Sequence, residues 1–328
     1  MPVSLRSNSL PQIATAVVGA GAFGRNHVRV VSKSERARLA AVVDPDRERA
    51  ASAAGGLCPV YESVEELIAA GGIDCAIVAA PTSLHAKLGC QLLEAGIDVL
   101  VEKPIAAEPG EARELITTAE RGGRVLQVGH LERFNPAIAA VKKITRQPMF
   151  FEIHRLSVFS PRSLDVDVVL DLMIHDLDIV LDLTGEWPEE VRAAGLSILS
   201  GKVDIANVRL AFPGGCIANL TASRVSTERV RKLRMFQPRQ YITVDYQRQD
   251  AAVFRVSEQR QIGFETLAVE SDEPLRLEVE SFFDAVISRK PTAVTGEQGL
   301  RALEAAFAIL GKIEEHSRHV ARQLETSA

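Results

Sequence analysis

An apolar run, Ile13–Val18, leads without interruption into Gly19-Ala20-Gly21-Ala22-Phe23-Gly24 and then into a helix-forming stretch. A strand that ends in this glycine spacing and opens a helix uses each glycine differently. Gly19 permits a tight turn, Gly21 lets a phosphate approach the backbone, and Gly24 lets the helix lie close to the strand. The helix N-terminus then offers unsatisfied N–H groups and the positive end of its dipole to an anion. Glycine-rich turns also arise for conformational reasons alone, so the context decides. The second apolar run, Leu39–Val43, ends in Asp44, twenty residues after Gly24. A dinucleotide-binding fold places there the acceptor for the adenosine ribose hydroxyls. A carboxylate would repel a 2′-phosphate, so NAD is expected rather than NADP. The competing reading is that Asp44, followed by Pro45, only starts a turn. Gly19, Gly21, Ala22, Phe23, Gly24 and Asp44 are the first candidate cofactor-binding residues.

The rest of the first 130 residues fits that frame. Apolar runs at Cys75–Ala80, Val99–Val101 and Val125–Val128 alternate with helix-period stretches at Ser63–Ala70, Leu84–Ala95 and Glu111–Arg121, and Gly71, Gly72, Gly96, Gly122 and Gly123 stand as stops. Such alternation predicts an α/β fold, a doubly wound parallel sheet covered on both faces. Beyond Arg133 the pattern becomes strand after strand: Met149–Val158, Ala194–Leu199, Ala206–Phe212, Cys216–Ser223, Val230–Met235, Tyr241–Tyr246 and Ala252–Val256. Pro213-Gly214-Gly215 reads as a hairpin turn. Helices from about Pro274 to Ser288 and Glu297 to His316 close the chain. We therefore expect a dinucleotide-type domain over 11–131 and an α+β domain with an open, mostly antiparallel sheet over 132–328.

Composition removes whole classes of function. With 38 basic and 43 acidic residues the net charge is −5, and aromatics make up 5%; a nucleic-acid surface or an anionic membrane as main partner is not expected. Cys58, Cys75, Cys90 and Cys216 form no CxxC pair, which argues against a disulfide framework or a structural zinc site. Residues Met1–Gln12 lack the apolar run of a leader peptide, so a cytoplasmic protein is expected.

In open α/β sheets ligands sit beyond the carboxyl ends of the strands. Three strand ends carry polar groups: Pro81-Thr82-Ser83-Leu84-His85, Glu102-Lys103-Pro104, and Gly129-His130-Leu131-Glu132-Arg133-Phe134-Asn135-Pro136. A lysine before proline is held extended or in a turn, with a cis peptide as one way to do it, and this restricts where its ammonium points. The plain alternatives are an exposed Lys103 paired with Glu102 and helix capping by Thr82 or Ser83. Further on, Val168–Leu183 reads as an apolar helix with a polar stripe of Asp171, His175, Asp178 and Asp182 at i, i+4, i+7 and i+11, and with Asp176 on another side. Asp182 is expected to face solvent. Asp171 and His175 suit proton transfer, the carboxylate orienting the imidazole; a metal site there ranks below that reading because no further ligand cluster is evident.

Together the Gly19-x-Gly21-x-x-Gly24 turn, Glu102-Lys103-Pro104, the Gly129–Pro136 segment and Asp171-x-x-x-His175 resemble, in order, the Gfo/Idh/MocA oxidoreductases. The resemblance runs from about residue 13 to 315. It implies an N-terminal Rossmann domain, a C-terminal open-faced sheet used partly for homo-oligomer contacts, and hydride transfer between a sugar or polyol carbon and nicotinamide. It also implies that Lys103, Asp171 and His175 are the catalytic residues and that Pro81, Thr82, His85, Glu102 and Lys103 join the cofactor site. Within the family, Pro81–His85, Gly129–Pro136 and Asp171–Asp178 look most like the UDP-N-acetylglucosamine 3-dehydrogenases, which implies oxidation of a nucleotide-sugar C3 hydroxyl. Substrate contacts are then expected from Lys103, Arg133, Phe134, Asn135, Arg155, Asp171 and His175. Arg224, Arg229, Arg231, Lys232, Arg234 and Arg239 cluster in an acidic chain and suit a diphosphate; a solvated basic sheet edge is the plain alternative. A dehydrogenase of a free sugar or inositol, or an NAD-binding sensor, are the competing functions.

Overall fold

The computed structural model describes residues 12–159 and 166–326. The leader-segment reading of Met1–Gln12 therefore lies outside the described residues, apart from Gln12. The chain forms two compact units, with a boundary at Gly129/His130.

In the first unit six parallel strands, β1 (Ile13–Val18), β2 (Ala37–Val43), β3 (Val60–Tyr61), β4 (Cys75–Val78), β5 (Asp98–Glu102) and β6 (Leu126–Gly129), line up in the order 3-2-1-4-5-6. Helices α1 (Ala22–Val31), α2 (Arg47–Ala54), α3 (Val64–Ala70), α4 (His85–Glu94) and α5 (Pro109–Gly122) make the crossovers. Every residue of β1, β4, β5 and β6 is buried, which is why these strands are continuous Val, Ile, Leu and Ala runs without alternation. The strand order reverses between β1 and β4, and that switch point is where an open α/β sheet leaves a crevice for ligand.

The second unit holds α6 (Pro136–Ile144), β7 (Phe150–Val158), a wide π turn at Val169–Met173 that continues into α7 (Ile174–Thr184), and strands β8 (Glu190–Leu196), β9 (Ile205–Ala211), β10 (Ile217–Ser226), β11 (Val230–Gln237), β12 (Gln240–Asp245), β13 (Asp250–Val256) and β14 (Ile262–Thr266). The eight strands are ordered 14-13-12-11-7-10-9-8. All neighbours are antiparallel except β7 and β10. The expected Pro213–Gly215 turn joins β9 to β10, with Gly215 at φ +84. One sheet face is core: Phe151 and Ile153 of β7, Leu220 of β10, Leu233 and Met235 of β11 and Ile242 of β12 pack with α7 residues Leu177 and Val180.

Helix α8 (Pro274–Ser288) follows the last strand in sequence, yet Leu275–Gly296 groups with the first unit, whereas α9 (Gly296–Thr326) from Glu297 onward groups with the second. Its attachment is specific. Leu275, Val279, Phe282 and Phe283 of α8 are buried, the Gln127 side-chain amide donates to the Glu278 carbonyl at 3.1 Å, and Arg289 pairs with the buried Asp98 carboxylate at 2.7 Å. The sequence reading had placed this segment within 132–328. No described helix is long and apolar enough to cross a membrane.

Candidate active site

A cleft of about 570 Å³ opens at the β1/β4 switch point, lined by Gly19, Gly21, Ala22, Phe23, Asp44 and Pro81 among others, a size suited to a small organic ligand. Each glycine has the role its position demands. At Gly19, φ is +99 and a Cβ would lie 2.5 Å from the Ala79 carbonyl oxygen; at Gly24 a Cβ would lie 1.8 Å from the Gly19 carbonyl oxygen. These two set the turn and the helix approach. At Gly21 a Cβ would meet nothing within 4 Å, so the fold itself does not require glycine there. What Gly21 keeps open is the cleft beside the first turn of α1, which has no acidic residue and no side-chain cap to occupy its N–H groups. A helix N-terminus of this kind suits a pyrophosphate by charge and by its free donors.

Asp44 sits where both roles considered for it would place it. It lines the cleft, and Oδ2 accepts the Ala20 N–H at 2.8 Å while Oδ1 accepts the Asp46 N–H at 2.9 Å. Arg49, also in the cleft lining, pairs with Asp44 Oδ1 at 2.9 Å. The carboxylate thus braces the glycine turn from the neighbouring strand.

The Pro81–His85 segment divides. Pro81 lines the cleft, but Thr82 and His85 are not among its lining. Neither Thr82 nor Ser83 caps α4, whose N-cap is Leu84 after a single 3-10 turn. His85 is buried, and its ring lies between two backbone carbonyls, Nδ1 at 2.8 Å from Pro104 O and Nε2 at 2.8 Å from Ala80 O. Burial pushes its pKa below the ordinary histidine value, against the pull of those two acceptors. The side chain straps the end of β4 to the loop that carries Lys103.

Lys103 itself is half-buried at the end of β5 and precedes a cis peptide to Pro104. Glu102 turns inward instead of lining the cleft. Its Oε1 meets His27 Nε2 at 2.7 Å, and Oε2 accepts the Lys103 N–H at 3.3 Å.

In the second unit Asp171 lies in the π turn, so the uniform helical stripe of the sequence reading is broken just upstream of His175. Such widened turns recur at functional sites because they re-aim a side chain. Asp171 and His175 are half-buried, as are Leu170 and Leu172, whereas Met173, Ile174 and 176–181 are buried. The remainder of the stripe is structural. Asp178 is buried and accepts Nε and Nη2 of Arg133 at 2.6 and 2.8 Å. Asp182, expected to face solvent, has a 10% exposed side chain and pairs with Arg133 at 2.7 Å and Lys142 at 2.6 Å.

The arginines expected on the substrate are spent inside the unit. Besides Arg133, Arg155 is buried with Nε and Nη2 on the two oxygens of Asp176, at 2.7 and 2.8 Å, and Nη1 on Glu132 at 2.9 Å. Its guanidinium also stands 5.1 Å from the Tyr246 ring centroid. Burial opposes its charge, but the Asp176 and Glu132 carboxylates outweigh it and hold Arg155 well above the ordinary arginine value. Asn135 caps α6 by accepting the Ala137 N–H at 3.1 Å and donates to the Tyr246 carbonyl at 3.0 Å. Phe134 is half-buried. Asp176 and Glu132 were missed, although a signal existed: strand alternation puts Arg155 on the same inward face of β7 as Phe151 and Ile153, and a buried arginine needs carboxylate partners. Among the basic cluster, Arg224 is buried and donates to the Val166 carbonyl, Arg234 pairs with Glu152 at 3.0 Å and Arg239 lies 3.8 Å from Glu258. Arg231 is different. It is partly exposed, 4.0 Å from Glu132, and burial together with the nearby charges of Arg155 and Arg229 lowers its pKa.

These two units define a nucleotide-dependent oxidoreductase of the Rossmann-plus-open-sheet class. Residues 13–130 match the oxidoreductase family with NAD-binding Rossmann fold, and residues 145–243 match the Gfo/Idh/MocA C-terminal domain. The chain is 35% identical over 307 residues to UDP-N-acetylglucosamine 3-dehydrogenase of Acidithiobacillus ferrooxidans, covering 92% of this chain and 97% of that one. The solved structure of that enzyme superposes with a TM-score of 0.87 over 93% of this chain and 99% of that chain. An inositol 2-dehydrogenase of Rhizobium meliloti is 26% identical over 317 residues, covering 91% of this chain and 96% of the relative. The chain belongs to the Gfo/Idh/MocA oxidoreductase family, with NAD as its cofactor.

Proposed function

We propose that the protein oxidises the C3 hydroxyl of UDP-N-acetylglucosamine, using NAD+. The observation that carries this reading is the 35% identity extending over 97% of the A. ferrooxidans 3-dehydrogenase, both units included. NAD+, when bound, supplies the hydride acceptor. The glycine turn and the first turn of α1 hold its pyrophosphate, and Asp44 receives the adenosine ribose.

The chain's own residues manage the proton. A secondary alcohol releases hydride readily only as its O–H proton leaves, so a base is needed within hydrogen-bond reach. His175 takes that proton, Asp171 orients the imidazole and steadies its charged form, and the Lys103 ammonium stabilises the alkoxide oxygen as charge builds. Arg133, Asn135 and Arg155, held in contacts of their own, act behind the substrate contacts, and the half-buried Phe134 stays among those contacts. The diphosphate is assigned to Arg231, whose crowded cation gains from an added anion. The aromatic row Phe150–Phe236–Tyr241–Phe254–Phe264 across β7, β11, β12, β13 and β14, with Phe236 and Phe264 exposed and the others half-buried, supports a homo-oligomer through the open sheet face.

The test is NADH absorbance on mixing the protein with NAD+ and UDP-N-acetylglucosamine, with Lys103→Ala as control. A rise lost in the variant supports the reading. Turnover of myo-inositol or a free sugar in place of the nucleotide sugar would establish the other substrate class in this family.

A further inference from the structure

Behind Lys103, three ionisable side chains from distant parts of the first unit converge: His27 of α1, Glu102 of β5 and Glu278 of α8. One ligand-type atom of each lies within 4.8 Å of the others. His27 and Glu278 are wholly buried and Glu102 is 7% exposed. Donors already face Glu102: the His27 ring at 2.7 Å and the Lys103 N–H at 3.3 Å. Glu278 differs, since among the described residues neither of its carboxyl oxygens has a hydrogen-bond donor.

Two carboxylates this close, out of water, do not both ionise. Glu102 has the donors and keeps the negative charge, so the proton belongs on Glu278. Burial and the charge of Glu102 both act in that direction, raising the Glu278 pKa well above the ordinary glutamate value. A protonated Glu278 has one O–H to donate, and Glu102, whose carboxylate lies within 4.8 Å, is the charged acceptor of the cluster. The space around Glu102 is restricted as well: a Cβ at Gly129 on the adjacent strand would come within 3.0 Å of the Glu102 carboxyl group. Its carboxylate therefore has little room to turn, and what holds it also holds the Lys103 backbone.

We infer that Glu278 is a positioning residue for Lys103: its carboxyl O–H donates to Glu102, which with the His27 donor fixes the carboxylate that receives the Lys103 N–H. The groups facing it are His27 from α1, Glu102 from β5 and the uncharged Gln127 from β6. The role rests on Lys103 acting on the substrate oxygen, and the assay separates the two.

The first readout needs no substrate. In infrared difference spectra of the full-length protein at neutral pH, wild type minus Glu278→Gln shows the carbonyl stretch of a protonated carboxyl group. The second readout is kinetic. Glu278→Leu, which cannot donate, lowers kcat by about ten- to a hundredfold with the KM for NAD+ little changed; Glu278→Gln, whose amide donates from the same place, restores most of it. Carboxylate bands alone in the difference spectrum overturn the inference. So do wild-type kcat in Glu278→Leu and one equivalent of a divalent metal in purified wild type that is lost in Glu278→Gln. If Glu278→Leu does not fold, the spectrum and the pH profile of Glu278→Gln decide: an alkaline limb of kcat that disappears with the titrating carboxyl supports the role, and an unchanged profile overturns it. Full turnover in Lys103→Ala alongside the protonated-carboxyl band would refute the function assigned to Lys103 while leaving the Glu278 proton in place.

Discussion

Replacing Gly21 and Gly24 separately by alanine should split folding from cofactor binding. Gly21 has φ −66 and ψ −171, which alanine adopts without strain, and its Cβ meets nothing. Gly21→Ala should therefore change stability by less than about 0.5 kcal/mol, as expected for an open site. The added methyl group would stand in the space a pyrophosphate needs. Losing one or two backbone contacts to phosphate is worth about 1.5 to 3 kcal/mol, so NADH affinity should fall about ten- to a hundredfold. Gly24→Ala is the opposite case. With the Gly19 carbonyl oxygen 1.8 Å from the new Cβ, the turn must retreat by more than an ångström from contacts that close-packed interiors do not relax easily. A loss of about 2 to 4 kcal/mol in stability follows, comparable with overpacking a core. Urea unfolding gives the stability, and quenching of protein fluorescence by NADH gives the affinity. Wild-type NADH affinity in Gly21→Ala would refute the placement of the pyrophosphate at this turn, whatever the outcome for Gly24.

Three further outcomes follow. Arg155→Met should lower stability by about 3 to 5 kcal/mol by stranding Asp176 and Glu132, measured by denaturation; a folded variant whose only defect is a raised substrate KM would refute the structural assignment. Arg231→Met should instead raise the KM for the nucleotide sugar about tenfold with normal melting, and an unchanged KM would remove Arg231 from the diphosphate. Asp44→Ser, which leaves Arg49 without its 2.9 Å partner, should shift preference toward NADP+ by at least about tenfold in kcat/KM, read from steady-state rates with each cofactor.

The parallel sheet was legible in the sequence because its strands are buried on both faces, and continuous apolar runs admit few other structures. β3 escaped notice at two residues, and β14, five residues exposed along their whole length, has only Ile262 and Phe264 in alternation to mark it. The glycine turn and Asp44 were legible because local geometry dictates their residue types. The π turn at Val169–Met173 was not, since nothing in an apolar helix pattern announces a single widened turn. Arg133 and Arg155 misled for a different reason. A cation near a catalytic segment suggests an anionic ligand, but whether that anion is substrate or a carboxylate such as Asp176 or Asp178 depends on partners far away in sequence. Glu278 is the extreme case, meaningful only once α8 is known to pack with the first unit.

The return of α8 also determines the order in which the chain can complete itself during synthesis. The nucleotide-binding sheet is finished at Gly129, yet the residues that meet Gln127, Asp98, Ile116 and Leu126 arrive only with Glu278, Arg289 and Gly296. On a ribosome, the first unit waits for the whole second sheet to emerge before its last apolar surface is covered. A fragment ending near residue 130 would carry every residue of the glycine turn and still expose that surface, making it a poor stand-in for the cofactor site of the intact chain.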